Sequence, residues 1–184
     1  MRLISGIAGG VPLVVPKSVT RPTQDRVRQA IFSMLGEKVV GARVLDLFAG
    51  SGALGLECLS RGAASVVGVE FNNKACEVIA GNIKKTKLSQ YQVCQSDVFK
   101  FLKQNNLRDF DLIFADPPYT HYEGESNGAQ SLLDSDDIRN ALHEEGFFVL
   151  ECISGRNTVV VPNSFKIAAD REYGSTRILI LNLP

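Results

Sequence analysis

From residue 43 onward the chain alternates short apolar runs with longer amphipathic ones, and this rhythm constrains the fold more than any other feature. The runs 43–48, 65–71, 91–95, 110–116 and 146–151 read as strands, and the segments 53–61, 73–86, 98–105 and 129–143 between them read as helices. Strands joined through helices are parallel, and a parallel sheet is covered on both faces. The end changes character, because 164–171 and 176–182 flank Tyr173-Gly-Ser175 and read as a closing hairpin. Ahead of the sheet, residues 1–16 predict a small β-hairpin turning at Gly9-Gly10. Thr23 is the expected N-cap of a helix with Asp25 in its first turn. Val27, Ala30, Ile31, Met34 and Leu35 then recur on one face, and the helix should stop at Gly36. The expected organisation is an N-terminal extension over 1–40 and one compact unit over 41–184.

The first of these strands runs into a glycine turn, Asp46-Leu-Phe-Ala-Gly-Ser-Gly-Ala-Leu-Gly55. Gly50, Gly52 and Gly55 match the dinucleotide fingerprint G-x-G-x-x-G, and Glu70 ends the next strand where a ribose-binding acid is expected. A nicotinamide-dependent oxidoreductase therefore stays open on these residues alone. Three acids point instead to S-adenosylmethionine. Asp46 stands where a carboxylate disfavours a pyrophosphate and suits a cofactor with a cationic amino-acid end. Asp97 ends the third strand, placed to accept from an adenine amine, although an acid there also caps a helix. Asp116 ends the fourth strand.

That fourth strand stops in Asp116-Pro-Pro-Tyr119. Two prolines cannot continue a central strand, so the chain turns rigidly at the edge where open α/β sheets bind ligands. An exocyclic amine on a nucleobase is a poor nucleophile, because its lone pair is delocalised into the ring. Asp116 and the Pro117 carbonyl can each accept one of its N–H bonds and direct the lone pair at a methyl donor. Tyr119 can stack on the base, and Pro118 completes the turn. Asp-Pro-Pro also occurs as a plain loop turn.

Here the chain resembles the bacterial small-subunit ribosomal RNA guanine-N2 methyltransferases, within the class I S-adenosylmethionine fold. The resemblance covers nearly the whole chain and rests on Arg21-Pro-Thr-Gln-Asp-Arg-Val-Arg28, Asp46–Gly55, Asp116-Pro-Pro-Tyr119 and Tyr173-Gly-Ser-Thr176. It implies a Rossmann-like, seven-stranded, mostly parallel sheet with a reversed last strand. It also implies methylation of one guanine amine on small-subunit rRNA or a ribosomal particle. In this reading the Gly50-Ser51-Gly52 turn holds the methionine end of the cofactor, Glu70 the ribose, Asp97 the adenine, and Phe48 packs near the sulfonium or simply in the core. Arg21 and Arg26 become phosphate contacts, and Thr23 and Asp25 order the entrance. One departure is visible: Gly6-Ile-Ala-Gly-Gly-Val-Pro-Leu13 carries no charge, where the family usually has basic residues.

Composition narrows the remainder. No apolar run approaches the roughly 18 residues that a membrane span needs, and no signal-peptide pattern opens the chain. The four cysteines form no C-x-x-C pair and there are two histidines, so neither a disulfide framework nor a metal site is expected. The expectation is a cytoplasmic monomer. Formal net charge is zero, which argues weakly against a nucleic-acid partner, yet charge is unevenly placed. Residues 1–43 hold seven basic side chains against two acidic, and 121–145 hold seven acidic against Arg139. A DNA adenine-N6 methyltransferase, a protein-amide methyltransferase and a non-catalytic assembly factor remain alternatives.

Overall fold

The computed structural model describes residues 1–16, 25–103, 108–118, 128–155 and 159–184. The strands are β1 (Arg43–Leu47), β2 (Ser65–Glu70), β3 (Tyr91–Gln95), β4 (Phe110–Ala115), β5 (Leu142–Ile153), β6 (Lys166–Tyr173) and β7 (Thr176–Asn182). The helices are α1 (Asp25–Leu35), α2 (Ala53–Ser60), α3 (Asn73–Thr86), α4 (Val98–Leu102), α5 (Gly128–Asp134) and α6 (Asp136–Ala141). They form one seven-stranded sheet in the order β3-β2-β1-β4-β5-β7-β6. β1 to β5 run parallel, and β7 is antiparallel to both its neighbours. The mostly parallel sheet with a reversed last strand is therefore present.

Alternation along the central strands builds two cores. Val44 of β1 with Leu112 and Phe114 of β4 faces the layer of α1, α2 and α3. Leu45 and Leu47 with Ile113 and Ala115 faces the layer of α4, α5 and α6. Successive side chains of a strand point to opposite faces, so a strand buried on both faces reads as an unbroken apolar run. α1 buries Val27, Ile31, Phe32 and Leu35, and the Phe32 ring lies 6.2 Å from that of Phe114. Gly36, at φ +54°, ends the helix, and one 3-10 turn over Gly36–Val39 leads into β1.

Two expectations need correction. The helix expected over 129–143 is two helices. Ser135 caps the second by accepting from the Asp137 N–H at 3.0 Å, and Asp136 and Asp137 favour its first turn. β5 then starts at Leu142, and its pairing with β4 shifts register between Phe110 and Leu112. The hairpin expected over 1–16 is reduced to one isolated bridge between Arg2 and Pro12. Its arms exchange Leu3 N–H to Val11 O, at 3.0 Å, and Gly10 N–H to Leu3 O, at 2.9 Å. The reversal thus falls before Gly10, within residues 4–9, because α2 pins that stretch. Buried Glu57 accepts from the Ile4 N–H at 2.7 Å and the Ser5 N–H at 3.0 Å, and Ser60 Oγ accepts from the Ala8 N–H at 3.0 Å.

Candidate active site

β1 and β4 are hydrogen-bonded neighbours, with Leu47 in register with Ala115. Adjacent strands lie about 5 Å apart. The glycine turn that follows Leu47 and the Asp-Pro-Pro that follows Ala115 therefore begin side by side at the carboxyl edge of the sheet. Phe48, Gly50 and Gly52 all adopt positive φ, at 57°, 57° and 73°. Phenylalanine is costly in that region, and such outliers gather where a site dictates the backbone. The Phe48 ring is half-buried and meets Phe99 edge-on, with centroids 6.4 Å apart, so part of its role is packing. Gly52 precedes α2, and a Cβ there would stand 3.0 Å from Ile79 Cγ2.

Several side chains hold this turn in place. Glu70 Oε2 accepts from the Gly50 N–H at 2.9 Å and Oε1 from the Asn72 N–H at 2.8 Å. Asn82 of α3, wholly buried, donates from Nδ2 to both Ser51 O and Val14 O, each at 2.9 Å. Its Oδ1 accepts from the Val14 N–H at 2.9 Å. The glycine turn and the N-terminal segment are thus joined through one side chain.

Asp46 is turned inward. Its Oδ2 accepts from the Gly55 N–H at 3.1 Å and from the Tyr91 hydroxyl at 3.0 Å, with 2% of the residue exposed. Burial holds its carboxyl up at about 7; the Gly55 and Tyr91 hydrogen bonds oppose the rise, and the Glu70 charge adds to it. Burial also pushes the Tyr91 hydroxyl well above its ordinary value, with the Asp46 charge adding to the shift. The Tyr91 ring reaches Asp46 only because two positions lack side chains. A Cβ on Gly68 would stand 2.3 Å from the Tyr91 oxygen, and one on Gly55 would stand 2.5 Å from its Cε2.

The remaining expected residues divide clearly. Asp97 caps α4, its Oδ1 accepting from the Lys100 N–H at 2.9 Å. Asp116 is half-buried, Pro117 buried and Pro118 exposed. Arg26 is exposed, while exposed Asp25 pairs with Arg28 at 2.8 Å. Arg21, Thr23 and Tyr119 lie outside the described residues. Tyr91, Asn82, Glu57 and Arg28 were not anticipated in their bracing or buried positions. The signal for Tyr91 was faint: a hydroxyl opening a buried strand, with glycines at 55 and 68. A groove of about 660 Å³, lined in part by Lys38, Asp111, His143, Glu144 and Phe147, opens where β1 starts and so at the opposite edge from this chemistry.

A glycine turn after β1, a carboxylate closing β2, Asp-Pro-Pro after β4 and a reversed β7 define the class, which is the fold of class I S-adenosylmethionine-dependent methyltransferases. The yhhF protein of Escherichia coli, a candidate methyltransferase, matches with a TM-score of 0.84 at 31% identity, over 100% of this chain and 97% of that chain. The chain belongs to the family described as conserved hypothetical protein 95, whose model matches residues 1–182. It is 40% identical over 155 residues to YlbH of Bacillus subtilis (strain 168), provisionally described as an rRNA methyltransferase, with 82% of each chain covered. It is also 40% identical over 120 residues to ribosomal RNA small subunit methyltransferase D of Escherichia coli (strain K12), over 65% of this chain and 60% of that protein. The residues present fit S-adenosylmethionine: the glycine turn, with Gly50 at φ 57° and Gly52 at 73°, meets the carboxylate that ends β2, Glu70 Oε2 accepting from the Gly50 N–H at 2.9 Å.

Proposed function

We propose that this chain transfers a methyl group from S-adenosylmethionine to the exocyclic N2 amine of a guanine in small-subunit ribosomal RNA. The observation that carries the reading is the placement of Asp116-Pro117-Pro118 beside the glycine turn, through the Leu47–Ala115 register. The names of the methyltransferase D relatives support ribosomal RNA as the substrate class. The guanine-N2 target rests on the chemistry of the Asp-Pro-Pro-Tyr turn and on family resemblance.

When bound, the cofactor supplies the methyl group on a positively charged sulfonium. The Gly50–Gly52 turn receives its methionine end, Glu70 its ribose hydroxyls and Asp97 its adenine amine, with Oδ1 of Asp97 retained in the α4 cap. Asp116 and the Pro117 carbonyl accept the two N–H bonds of the target amine and aim its lone pair across the β4–β1 boundary. Tyr119 stacks on the base. These groups act by orientation and fixed electrostatics, and the amine proton leaves to Asp116 or water. The target guanine leaves its stack to reach the pocket. Arg21 and Arg26 contact phosphates, and Thr23 and Asp25 order the entrance. The enzyme works as a cytoplasmic monomer, with residues 1–40 as an extension of one methyltransferase unit.

The test is transfer of labelled methyl to small subunits lacking guanine-N2 methylation, beside naked RNA, DNA and protein controls. Label in one guanine, lost with Asp116→Ala, is expected. Label in adenine or in a protein amide would overturn the guanine reading and leave the methyltransferase standing.

A further inference from the structure

Among the described residues, Arg28 is the basic side chain that is wholly buried. Its Nη2 donates to Arg2 O at 2.6 Å and to Asp25 Oδ1 at 2.8 Å. Its Nε and Nη1 are also out of water and have no hydrogen-bond partner. Asp25 offers limited compensation, since its side chain is 59% exposed. A guanidinium removed from water with donors unmade is expensive, and native interiors rarely leave one so. The local chain therefore lacks an acceptor that the working protein should supply.

The position of Arg28 indicates which acceptor. The Phe32 ring lies 6.2 Å from that of Phe114, which is in register with Asp46 near the end of β1, and Arg28 stands one helical turn before Phe32. A second link agrees. Arg28 bonds Arg2 O, and the sulfur of the adjoining Met1 lies 3.9 Å from Ser51 Oγ on that turn. The methionine end of the cofactor carries a carboxylate as well as an ammonium. Asp46 and Glu70, the acids around the turn, are unsuited to the carboxylate. Arg28 and the positive amino end of α1 are suited to it. Full burial also favours a carboxylate carried in on a small ligand over a phosphate fixed on a polymer.

We propose that Arg28 receives the cofactor's carboxylate through one of its unpaired donors, making it a cofactor-binding residue and a determinant of selectivity for the intact amino-acid end. The proposal rests on S-adenosylmethionine as cofactor and is independent of which nucleotide is methylated.

Calorimetric titration of the full chain with S-adenosylmethionine and with its decarboxylated form tests it. The wild type should prefer the carboxylated ligand by about ten- to a hundredfold, as expected for a charge-assisted hydrogen bond. Arg28→Gln should weaken S-adenosylmethionine by a similar factor, barely change the decarboxylated ligand and so abolish the preference. Arg28→Lys should keep part of it. Equal weakening of both ligands, or an unchanged preference, overturns the proposal. Loss of RNA affinity with cofactor binding intact also overturns it and makes Arg28 a phosphate contact. If neither variant folds, the wild-type Arg28 Nε–H resonance decides. It should shift with S-adenosylmethionine and stay in place with the decarboxylated ligand, and equal behaviour with the two overturns the proposal. Failure of the wild type to bind S-adenosylmethionine would instead sink the cofactor assignment.

Discussion

At the carboxyl edge of the sheet β1 and β4 end side by side, yet the two strands stop in different ways. After β4 the chain is held covalently, since two prolines fix φ and offer no N–H to a continuing ladder. After β1 it passes through three positive-φ residues and is held from outside, by Glu70 at Gly50, Asn82 at Ser51 and Asp46 at Gly55. The Asp-Pro-Pro half thus takes part of its shape from its own prolines. The glycine-turn half depends on buried polar groups, each costly to leave unpaired. Substitutions in the first should lower the transfer rate more than stability, and those in the second should lower stability first.

The largest expected effect separates the halves directly. On the proposed function Asp116→Ala removes one of two acceptors for the amine and should lower the methyl-transfer rate about a thousandfold, the scale seen when one preorganised polar group is lost. Cofactor affinity should stay near wild type. A matching loss of cofactor affinity would show that the two halves are not separable.

The second effect belongs to the glycine-turn half. Gly68→Ala puts a methyl 2.3 Å from the Tyr91 oxygen and 2.5 Å from its Cε1. The ring is buried and cannot swing away, so the variant should lose about 1–3 kcal/mol in urea denaturation. Tyr91→Val in the same chain should return part of that loss, and a purely additive double mutant would show that the ring is not what Gly68 accommodates.

Why some of this was readable in sequence and some was not follows from the range of the interactions. The strand–helix rhythm is local, and β1 to β4 lie within a residue or so of the runs expected from it. Glu70 could be placed because it ends β2, whereas Asp97 was expected to end β3 but lies beyond Gln95 as the cap of α4. The split at Ser135 was legible in principle, since Ser-Asp-Asp is a capping signal that the apolar periodicity of 129–143 overrode. The pinned segment 4–9 was not legible, because it depends on Glu57 and Ser60, more than fifty positions away. Asp46 shows the same limit. Its place before the glycine turn is plain in sequence, but whether it faces the ligand or the interior is decided by Tyr91, 45 positions on. Arg28 was counted as surface charge because sequence does not reveal burial of a basic residue on an amphipathic helix.

The inward Asp46 also supports the final predicted effect, which sharpens the comparison through pH. Burial raises its carboxyl from 3.8 to about 7 in the folded chain. The unfolded chain, with an ordinary carboxyl, releases that proton near pH 4, so the folded state holds more protons across the interval between. Stability from this group is thus fully present below about pH 4 and is lost as pH rises through about 7. Asparagine keeps an acceptor for the Gly55 N–H and does not ionise. The advantage of Asp46→Asn over the wild type should therefore grow from pH 5 to pH 8 by on the order of 2–3 kcal/mol. Urea midpoints of both chains at the two pH values would measure this growth, and comparison within each pH cancels every other titrating group. A constant difference between the chains would mean that Asp46 ionises normally, and that the turn is braced by a charge the interior tolerates.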